Sequence, residues 1–498
     1  MKYLKAVLIV LIFIIILGII MFWGRHFYLG SKLEVGIMNS YEEEISDYKK
    51  NKMPFTIQNK DKDQIIAVNG KRYEGERFFE PGNYKIEIVK GEAYKRINVS
   101  IKDIERKKEN EYYIYLSSQT LQALFTALEI ADRGEMNGFL WTTKSSTLDT
   151  ESLVADTKNL VISEYLGNLN NEDLKQKLLP EVKNYIEKVL KSDEDAYFHL
   201  YLDDYRFHWE YELFGSLGLS DNRYDVSIYS DGTISYTDYY ESGTEKEIRD
   251  IKIKKANSYD IFLNEKASLD TFIKQFRMGQ ISTIEPLEGN YWDYLYISTL
   301  RNNFTYILQF PELITFEDKL VQKEMENANL LKIVAVDKFQ ALDNESKEKF
   351  FKYVKLDKEE LNNTYFQSDE ANYLVITGTK PFYGKIGQEN FERLINQVVK
   401  SYGENYTLLY KPHPSALPDE NQEQFLNDLG IQVLPGTIPM EALCFIYPNL
   451  NLGGFCSSLY MSVDKGKTKF FFVQSKDDLI APLNQLYDDL FSDAKFYY

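Results

Sequence analysis

Residues 406–414 read Tyr-Thr-Leu-Leu-Tyr-Lys-Pro-His-Pro, an apolar strand pattern followed at once by two cations. The prolines end the strand, because proline cannot donate to a sheet ladder and its ring fixes the backbone. Lys411 and His413 are therefore predicted at the carboxyl end of a strand, the edge where open α/β sheets bind ligands. A cationic pair at that edge suits a phosphate group. A chance histidine on a loop is the alternative interpretation.

Small and polar residues also follow two other predicted strands. Upstream, Gly378 and Thr379 end the apolar stretch that begins at Tyr373, and the backbone can approach a ligand closely there. Downstream, two glycines lead into Ser457 and Ser458, which are predicted to begin an apolar helix. The free N–H groups of a helix N-terminus bind phosphate, although an ordinary serine N-cap produces the same sequence.

Two carboxylates have comparable positions. Asp231 follows the strand predicted over 225–229, where it either forms part of an Asp-Gly turn or accepts a proton from a substrate hydroxyl. Glu441 lies in the first turn of a predicted helix, where it either interacts with the helix dipole or accepts hydrogen bonds from two ribose hydroxyls. A further group follows the strand predicted over 198–202, and we predict that its members face an acceptor substrate. These residues are Asp203, Asp204, His208 and Trp209.

Strands and amphipathic helices alternate from about residue 111 to the end of the chain, which is typical of doubly wound parallel sheets. This part is too long for one such sheet, so two are predicted, with a boundary in the charged stretch 347–370. Ser117 and Ser118 are predicted to cap a helix of the first sheet. The predicted units are a transmembrane signal anchor (1–24), a polar stalk (25–54), a small immunoglobulin-like β-sandwich (55–108), a first Rossmann-like domain (109–365) and a second one (366–498) whose C-terminal helices return to the first.

The N-terminus carries one long apolar run, from Ala6 to Trp23, interrupted only by Gly18. Eighteen helical residues span about 27 Å, close to the thickness of a bilayer's hydrocarbon layer. The run is long for a signal peptide and no small-residue cleavage site follows it. We therefore predict a signal anchor that crosses a cell membrane once, with the side of the remaining chain left open. A cleavable signal peptide is the alternative.

Composition argues against several classes of protein. With 58 Lys and Arg against 76 Asp and Glu, the net charge of −18 is unfavourable for binding nucleic acid through its phosphates. Two cysteines are too few for a disulfide framework, and four histidines leave few ligands for a metal centre. Neither a Walker-type P-loop nor a G-x-G-x-x-G fingerprint is present. We predict no nucleic-acid partner and no metal site.

The order and spacing of the motifs resemble those of the bacterial sialyltransferases of glycosyltransferase family 80. The motifs are an Asp-Gly after a strand, then Lys-x-His-Pro, then a Glu 28 residues beyond the histidine, then Gly-Gly-x-x-Ser-Ser-Leu-Tyr. The resemblance covers roughly residues 110 to 475, and the β-rich stretch before it is similar to the immunoglobulin-like domain of some members. It implies a GT-B fold, in which two Rossmann-like domains face each other across a cleft.

The resemblance also implies a reaction, the inverting and metal-independent transfer of sialic acid from CMP-sialic acid to a sugar hydroxyl of a glycan, such as a galactoside. Asp231 matches the catalytic base, and His413 acts at the leaving phosphate. One departure is Ser230, which stands where the family has the first acid of its acid-acid-Gly motif. The residues that the resemblance assigns to the CMP donor are Gly378, Thr379, Lys411, His413, Pro414, Glu441, Ser457 and Ser458.

Two other functions fit the same residues. A related GT-B transferase could use another nucleotide sugar, such as CMP-Kdo or a UDP-sugar. A membrane-anchored glycan-binding protein could keep the scaffold and lack catalysis, which Ser230 favours. The presence of Asp231, His413 and Glu441 together argues against that second alternative.

Overall fold

The computed structural model describes residues 2–167, 169–203, 209–230, 258–281, 301–313, 316–326, 328–332, 335–368, 371–378, 380–413, 417–455, 457–479, 483–484 and 486–498. Its strands are β1 (Val35–Asn39), β2 (Phe55–Asn59), β3 (Ile65–Val68), β4 (Lys71–Arg72), β5 (Gly82–Lys90), β6 (Ala93–Ile101), β7 (Glu111–Ser117), β8 (Asn137–Thr142), β9 (Asn159–Ile162), β10 (Tyr197–Asp203), β11 (Tyr224–Tyr229), β12 (Phe304–Leu308), β13 (Leu330–Lys332), β14 (Tyr373–Thr377), β15 (Thr407–Lys411), β16 (Gln432–Val433), β17 (Asn451–Gly454), β18 (Thr468–Phe471) and β19 (Lys495–Phe496).

The α-helices are α1 (Lys2–Ser31), α2 (Thr120–Arg133), α3 (Thr150–Asp156), α4 (Asn171–Asp173), α5 (Leu179–Ser192), α6 (Tyr259–Arg277), α7 (Lys319–Met325), α8 (Ala335–Ala341), α9 (Asn344–Tyr353), α10 (Lys358–Thr364), α11 (Lys380–Tyr402), α12 (Glu420–Asp428) and α13 (Met440–Ile446). Shorter 3-10 or π turns occur at Lys108–Asn110, Leu174–Leu178, Tyr211–Gly215, Asp221–Arg223, Pro311–Leu313, Ser458–Ser462, Lys476–Asp478 and Tyr487–Phe491.

Seven parallel strands form the first sheet, in the order β13-β12-β11-β10-β7-β8-β9. The chain enters at β7, moves outward through β8 and β9, and then crosses back to β10 on the other side of β7. Ile114 and Leu200 lie opposite each other in the two central strands and are fully buried. The strand order reverses between β7 and β10, and ligands bind outside the carboxyl ends of the strands at such a point.

Six parallel strands form the second sheet, in the order β16-β15-β14-β17-β18-β19. The chain enters at β14, so the reversal lies between β14 and β17. Leu374, Val375 and Ile376 are fully buried, as expected of a parallel strand covered on both faces. Both sheets therefore have the 3-2-1-4-5-6 order of a Rossmann sheet, and the prediction of two doubly wound sheets is confirmed.

Helix α13 joins the two sheet units. It packs against α2 and α8 of the first unit and against the turn Ser458–Ser462 of the second. Every residue of α13 except Glu441 is buried, and Gln340 Nε2 of α8 donates to the Phe445 carbonyl oxygen at 3.2 Å. One continuous hydrophobic core therefore extends through both units.

A small all-β unit precedes the first sheet. Strands β4-β3-β5-β6 form an antiparallel sheet, and β1 pairs antiparallel with β2. Residues of both sheets, such as Ile37, Phe55 and Ile86, share one core. The immunoglobulin-like class of this unit and the predicted unit boundaries stay predictions.

Part of the stretch 25–54, which we predicted to be a polar stalk, consists of the end of a helix and a buried strand. Helix α1 continues to Ser31, and the alternating residues Leu33, Val35 and Ile37 are buried at the start of the all-β unit. Their period of two is that of a strand with one buried face. The sequence analysis missed this short strand because the charged residues after it gave the whole stretch a polar composition.

The all-β unit is bonded to the first sheet unit. Lys52 Nζ donates to Asp195 Oδ1 at 2.6 Å, and Ser40 Oγ donates to the Leu217 carbonyl oxygen at 2.6 Å. Asp195 thus has a structural partner in the all-β unit.

The ends of two other elements differ from the predictions. Helix α2 is capped by Gln119, which exchanges hydrogen bonds with Gln122, and neither Ser117 nor Ser118 caps it. The strand predicted over 331–336 ends at Lys332, and α8 begins at Ala335. The end of the chain adds β19 to the second sheet, and the return of C-terminal helices to the first unit stays a prediction.

The close approach of β17 to β14 gives a test of the second sheet. Gly454 has a φ of +140°, and a Cβ there would overlap the carbonyl oxygen of Thr377. We expect Gly454→Ala to cost about 1–3 kcal/mol in backbone strain and about 1–3 kcal/mol in overpacking. Thermal unfolding of the full chain in detergent would measure the loss.

Gly466→Ala is the matched control, because Gly466 also has positive φ (+83°) but has open space around it. Its melting temperature should fall about half as far. Equal shifts for the two variants would contradict the packing role of Gly454.

Candidate functional site

A cleft of about 450 Å³ lies between the two sheet units, at the carboxyl ends of their strands. It brings together five residues of the predicted site from separate parts of the chain. These residues are Gly378, Lys411, His413, Glu441 and Ser457. The first unit contributes the opposite wall through Thr120, Lys144, Ser146 and Thr147.

Lys411 ends β15 and is buried, with 4% of its surface exposed. Its Nζ donates to the carbonyl oxygens of Pro412 at 2.8 Å and Gly436 at 3.1 Å. Burial lowers the pKa of Lys411 to about 8, and the nearby Glu441 carboxylate partly offsets this shift. The ammonium group is therefore held in a fixed position and is poorly hydrated, so an anion in the cleft would interact with it strongly. His413 lies two residues farther on, half-buried, in the same wall.

Glu441 lies in the first turn of α13, as predicted. Burial raises the pKa of its carboxyl group, while a backbone hydrogen bond and the charges of Lys411 and Lys144 lower it. Because α13 is buried along the rest of its length, the position of this carboxylate at the cleft is fixed. A fixed carboxylate can accept two hydrogen bonds from neighbouring hydroxyls.

Lys144 is the charged cleft residue that sequence reasoning missed. It follows β8 in the polar run 142–147, Thr-Thr-Lys-Ser-Ser-Thr, and its charge acts on Glu441 of the second unit. A polar run directly after an apolar strand is the signal that led to the other site residues. The same signal after β8 would have identified Lys144 as well.

Gly378 and Ser457 differ in detail from the predictions. The N–H of Gly378 donates to the Lys411 carbonyl oxygen at 3.0 Å, so this amide is engaged within the sheet. Ser457 does not begin a long helix, because only the five-residue 3-10 turn Ser458–Ser462 follows. Its Oγ accepts from the Leu459 N–H at 3.2 Å, which leaves its own proton available to a ligand. In this segment the Ser457 hydroxyl, more than a helix dipole, is therefore the group that can bind a phosphate.

Several predicted site residues lie outside the described residues. They are Asp204, His208, Asp231, Thr379 and Pro414, together with the side chain of Ser458.

The other two predicted acceptor residues, Asp203 and Trp209, are not in the lining of the cleft. Asp203 is fully buried at the end of β10 and accepts a hydrogen bond from Ser118 Oγ at 2.7 Å. Ser118 lies two residues before Thr120 of the cleft wall. Trp209 is 5% exposed and belongs to the core of the first unit, a position that does not favour contact with an acceptor.

Within the described ranges, no three His, Cys, Asp or Glu side chains are grouped closely enough to hold a metal ion. Among the described residues that line the cleft, Lys411 and Lys144 carry the positive charge. This is the charge that a phosphate-bearing ligand would meet.

Comparison with solved structures finds this architecture in bacterial sialyltransferases. An α/β-galactoside α-2,3-sialyltransferase from Photobacterium phosphoreum superimposes with a TM-score of 0.54 at 17% identity, over 78% of this chain and 99% of that one. The GT-B domain of a sialyltransferase from Photobacterium damselae gives a TM-score of 0.54 at 16% identity, with the same coverage. A further sialyltransferase structure, from Photobacterium damsela, gives 0.53 at 15% identity over 93% of this chain and 97% of that one.

No protein-family model and no curated protein sequence matches the chain. The likeness is thus one of fold. The chain has the GT-B fold of these sialyltransferases, and the resemblance inferred from the motifs is confirmed at that level.

The pKa of Lys411 predicts that anion binding depends on pH. Below about pH 8 its ammonium group is charged and favours a bound phosphate, and above that pH the charge is lost. The affinity for a phosphate-bearing ligand should therefore fall as the pH rises through 8, approaching about tenfold per pH unit. Calorimetric titration of CMP into the full chain between pH 7 and 9.5 measures this. Lys411→Arg keeps its charge throughout, so it should give a flat profile, and the same fall in that variant would contradict the assignment.

Proposed function

We propose that the chain is an inverting glycosyltransferase that moves sialic acid from CMP-sialic acid to a sugar hydroxyl, without a metal ion. The observation that carries this proposal is the convergence of Lys411, His413, Glu441 and Ser457 in one cleft between two Rossmann sheets. They come from three separate segments of the chain, and they are residues that the motif resemblance assigns to the CMP donor.

The donor would lie with its ribose at Glu441 and its phosphate near Lys411, His413 and Ser457. The carboxylate of Glu441 can accept both ribose hydroxyls. The phosphate is already a good leaving group, so the developing charge on it needs neutralising more than it needs a proton. Lys411 is suited to this task because its ammonium group is held by two carbonyl oxygens and is nearly dehydrated.

Asp231 would take the proton of the attacking hydroxyl as the new glycosidic bond forms. It directly follows Ser230, which is 1% exposed and whose Oγ has no hydrogen-bond partner among the described atoms. A carboxylate in place of Ser230 would be buried and would precede Asp231 directly in the chain. If the two charges came close, the pKa of one of them would rise. Serine at this position would leave Asp231 as the single acid. The departure from the family motif is therefore compatible with catalysis.

The acceptor would approach from the first unit. The Photobacterium phosphoreum structure is named for activity on α- and β-galactosides, and we propose a galactoside acceptor here. Asp204 and His208 would line its path, while the buried Asp203 would hold Ser118 in place by accepting its hydrogen bond.

Helix α1 would hold this enzyme at a bacterial cell membrane, crossing it once. Its segment Leu8–Ser31 is long and apolar enough to span a bilayer, and its lateral surface is exposed. A signal sequence has the same properties, so retention of α1 belongs to the proposal.

The role of Asp231 is tested by Asp231→Asn in the full chain, with CMP-sialic acid and lactose as substrates. Loss of a general base should lower kcat by about 100-fold or more, while the affinity for CMP should stay within about twofold of the original. Asp238→Asn, seven residues farther on, removes the same charge and should leave kcat unchanged.

Near-normal turnover in Asp231→Asn would refute the assignment of the base. Activity of the unsubstituted chain with a UDP-sugar or CMP-Kdo instead would move it to another donor class. CMP binding without any transfer would favour a glycan-binding protein that lacks catalysis.

A further inference from the structure

The all-β unit is held against α1 where the helix leaves its apolar stretch. Arg25 pairs with Glu92, between β5 and β6, at 3.1 Å. Five residues later, Gly30 approaches β6 so closely that a Cβ there would overlap the Tyr94 carbonyl oxygen. The two contacts occur in the same order along α1 and β6. Strand β6 therefore runs beside the helix and away from its apolar part, with the β5–β6 turn nearest to that part.

The position of this turn relative to a bilayer follows from the helix. The apolar run ends at Trp23, and the exposed aromatic residues Phe27 and Tyr28 follow it, which is typical of a membrane interface. At 1.5 Å per residue, Arg25 lies about 3 Å beyond Trp23 and Gly30 about 10 Å beyond it. The headgroup layer on each side of the hydrocarbon is roughly 5–8 Å thick. The turn therefore lies at the level of the headgroups.

The outward face of the four-stranded sheet becomes apolar toward this turn. Ile65 pairs with Val89, and Val89 pairs with Tyr94, so the three side chains form one row across β3, β5 and β6. Their exposed fractions are 55%, 36% and 40%, and within the described all-β unit no other large hydrophobic side chain is so exposed. Farther from the turn, the same face of β5 carries Asn83, Lys85 and Glu87, and the Tyr94 hydroxyl donates to Glu87 Oε1 at 2.7 Å. An apolar row at one end of a polar face indicates a surface that contacts another protein or a membrane.

We propose that this row, Ile65, Val89 and Tyr94, docks the all-β unit onto the surface of the bilayer that α1 crosses. Tyr94 lies at the level of Gly30, about 10 Å beyond Trp23, so the row would contact the outer surface of the headgroup layer. The close contact at Gly30 would keep the unit from turning about the helix. The proposal rests on α1 being a retained anchor and does not depend on the reaction. Because Lys52 and Ser40 bond the all-β unit to the first sheet unit, docking would also fix the height of the cleft above the membrane.

A pair of labels on one strand tests the proposal. Val89→Cys and Asn83→Cys would each be labelled with an environment-sensitive fluorophore in the full chain, reconstituted in liposomes that contain headgroup-spin-labelled lipid. Both positions are exposed on the same face of β5, and six residues of strand separate them by about 20 Å. The unsubstituted chain, treated identically, gives the background from Cys444 and Cys456.

Quenching at position 89 should be several-fold stronger than at position 83, and Gly30→Val should reduce it to the level of position 83. Gly24→Val is the matched control, because nothing lies within 4 Å of a Cβ at Gly24, and it should leave the quenching unchanged. Flotation of the chain with the liposomes reports the anchor separately. Equal quenching at the two positions, or a chain that does not float with liposomes, would overturn the proposal.

Discussion

Helix α13 is buried between the two sheet units, and the cleft depends on that packing. Its residues after Glu441 are all buried, so the helix cannot rotate or shift without exposing apolar side chains to water. Beyond its C-terminus, Tyr447 donates to Asn362 Oδ1 at 2.7 Å and stacks on Phe366 with ring centroids 4.0 Å apart. Held in this way, α13 presents Glu441 toward Lys144 of the first unit. The site is a consequence of how the two units pack, and no single loop creates it.

The cleft concentrates positive charge within an acidic protein. The chain carries a net charge of −18, and the long-range field of such a protein repels an anionic ligand. At physiological salt that field is screened beyond about 8 Å, so the groups lining the cleft decide the interaction. Burial lowers the pKa of Lys411 and raises that of Glu441, because each charged form loses hydration, and the attraction between the two partly offsets both shifts. A bound phosphate would add a second partner for the lysine and favour its charged form.

The local sequence was sufficient to predict the two parallel sheets and most of the described cleft residues. Strands that end in polar or glycine-containing segments identified the two parallel sheets and led to Lys411, His413, Glu441 and Ser457, because parallel strands bring their carboxyl ends to one edge. The influence of the Lys144 charge on Glu441 across the cleft was not predictable, since it depends on how one unit faces the other.

The remaining differences have the same origin. The amide of Gly378 is taken up by the Lys411 carbonyl oxygen, a contact between neighbouring strands that no motif records. The stalk prediction missed β1, whose burial depends on its antiparallel partner β2. Calorimetric titration of CMP, UMP and UDP into the full chain and its Lys144→Gln and Lys158→Gln variants tests the central claim most directly. Lys144 lines the cleft, while Lys158 of the same unit is exposed and lies outside it. The proposed donor predicts that CMP binds in preference to UMP and UDP. A nucleotide site built from both units predicts that CMP binds about tenfold more weakly to Lys144→Gln and with unchanged affinity to Lys158→Gln. Preference for UDP, or CMP binding that does not respond to Lys144→Gln, would contradict the account.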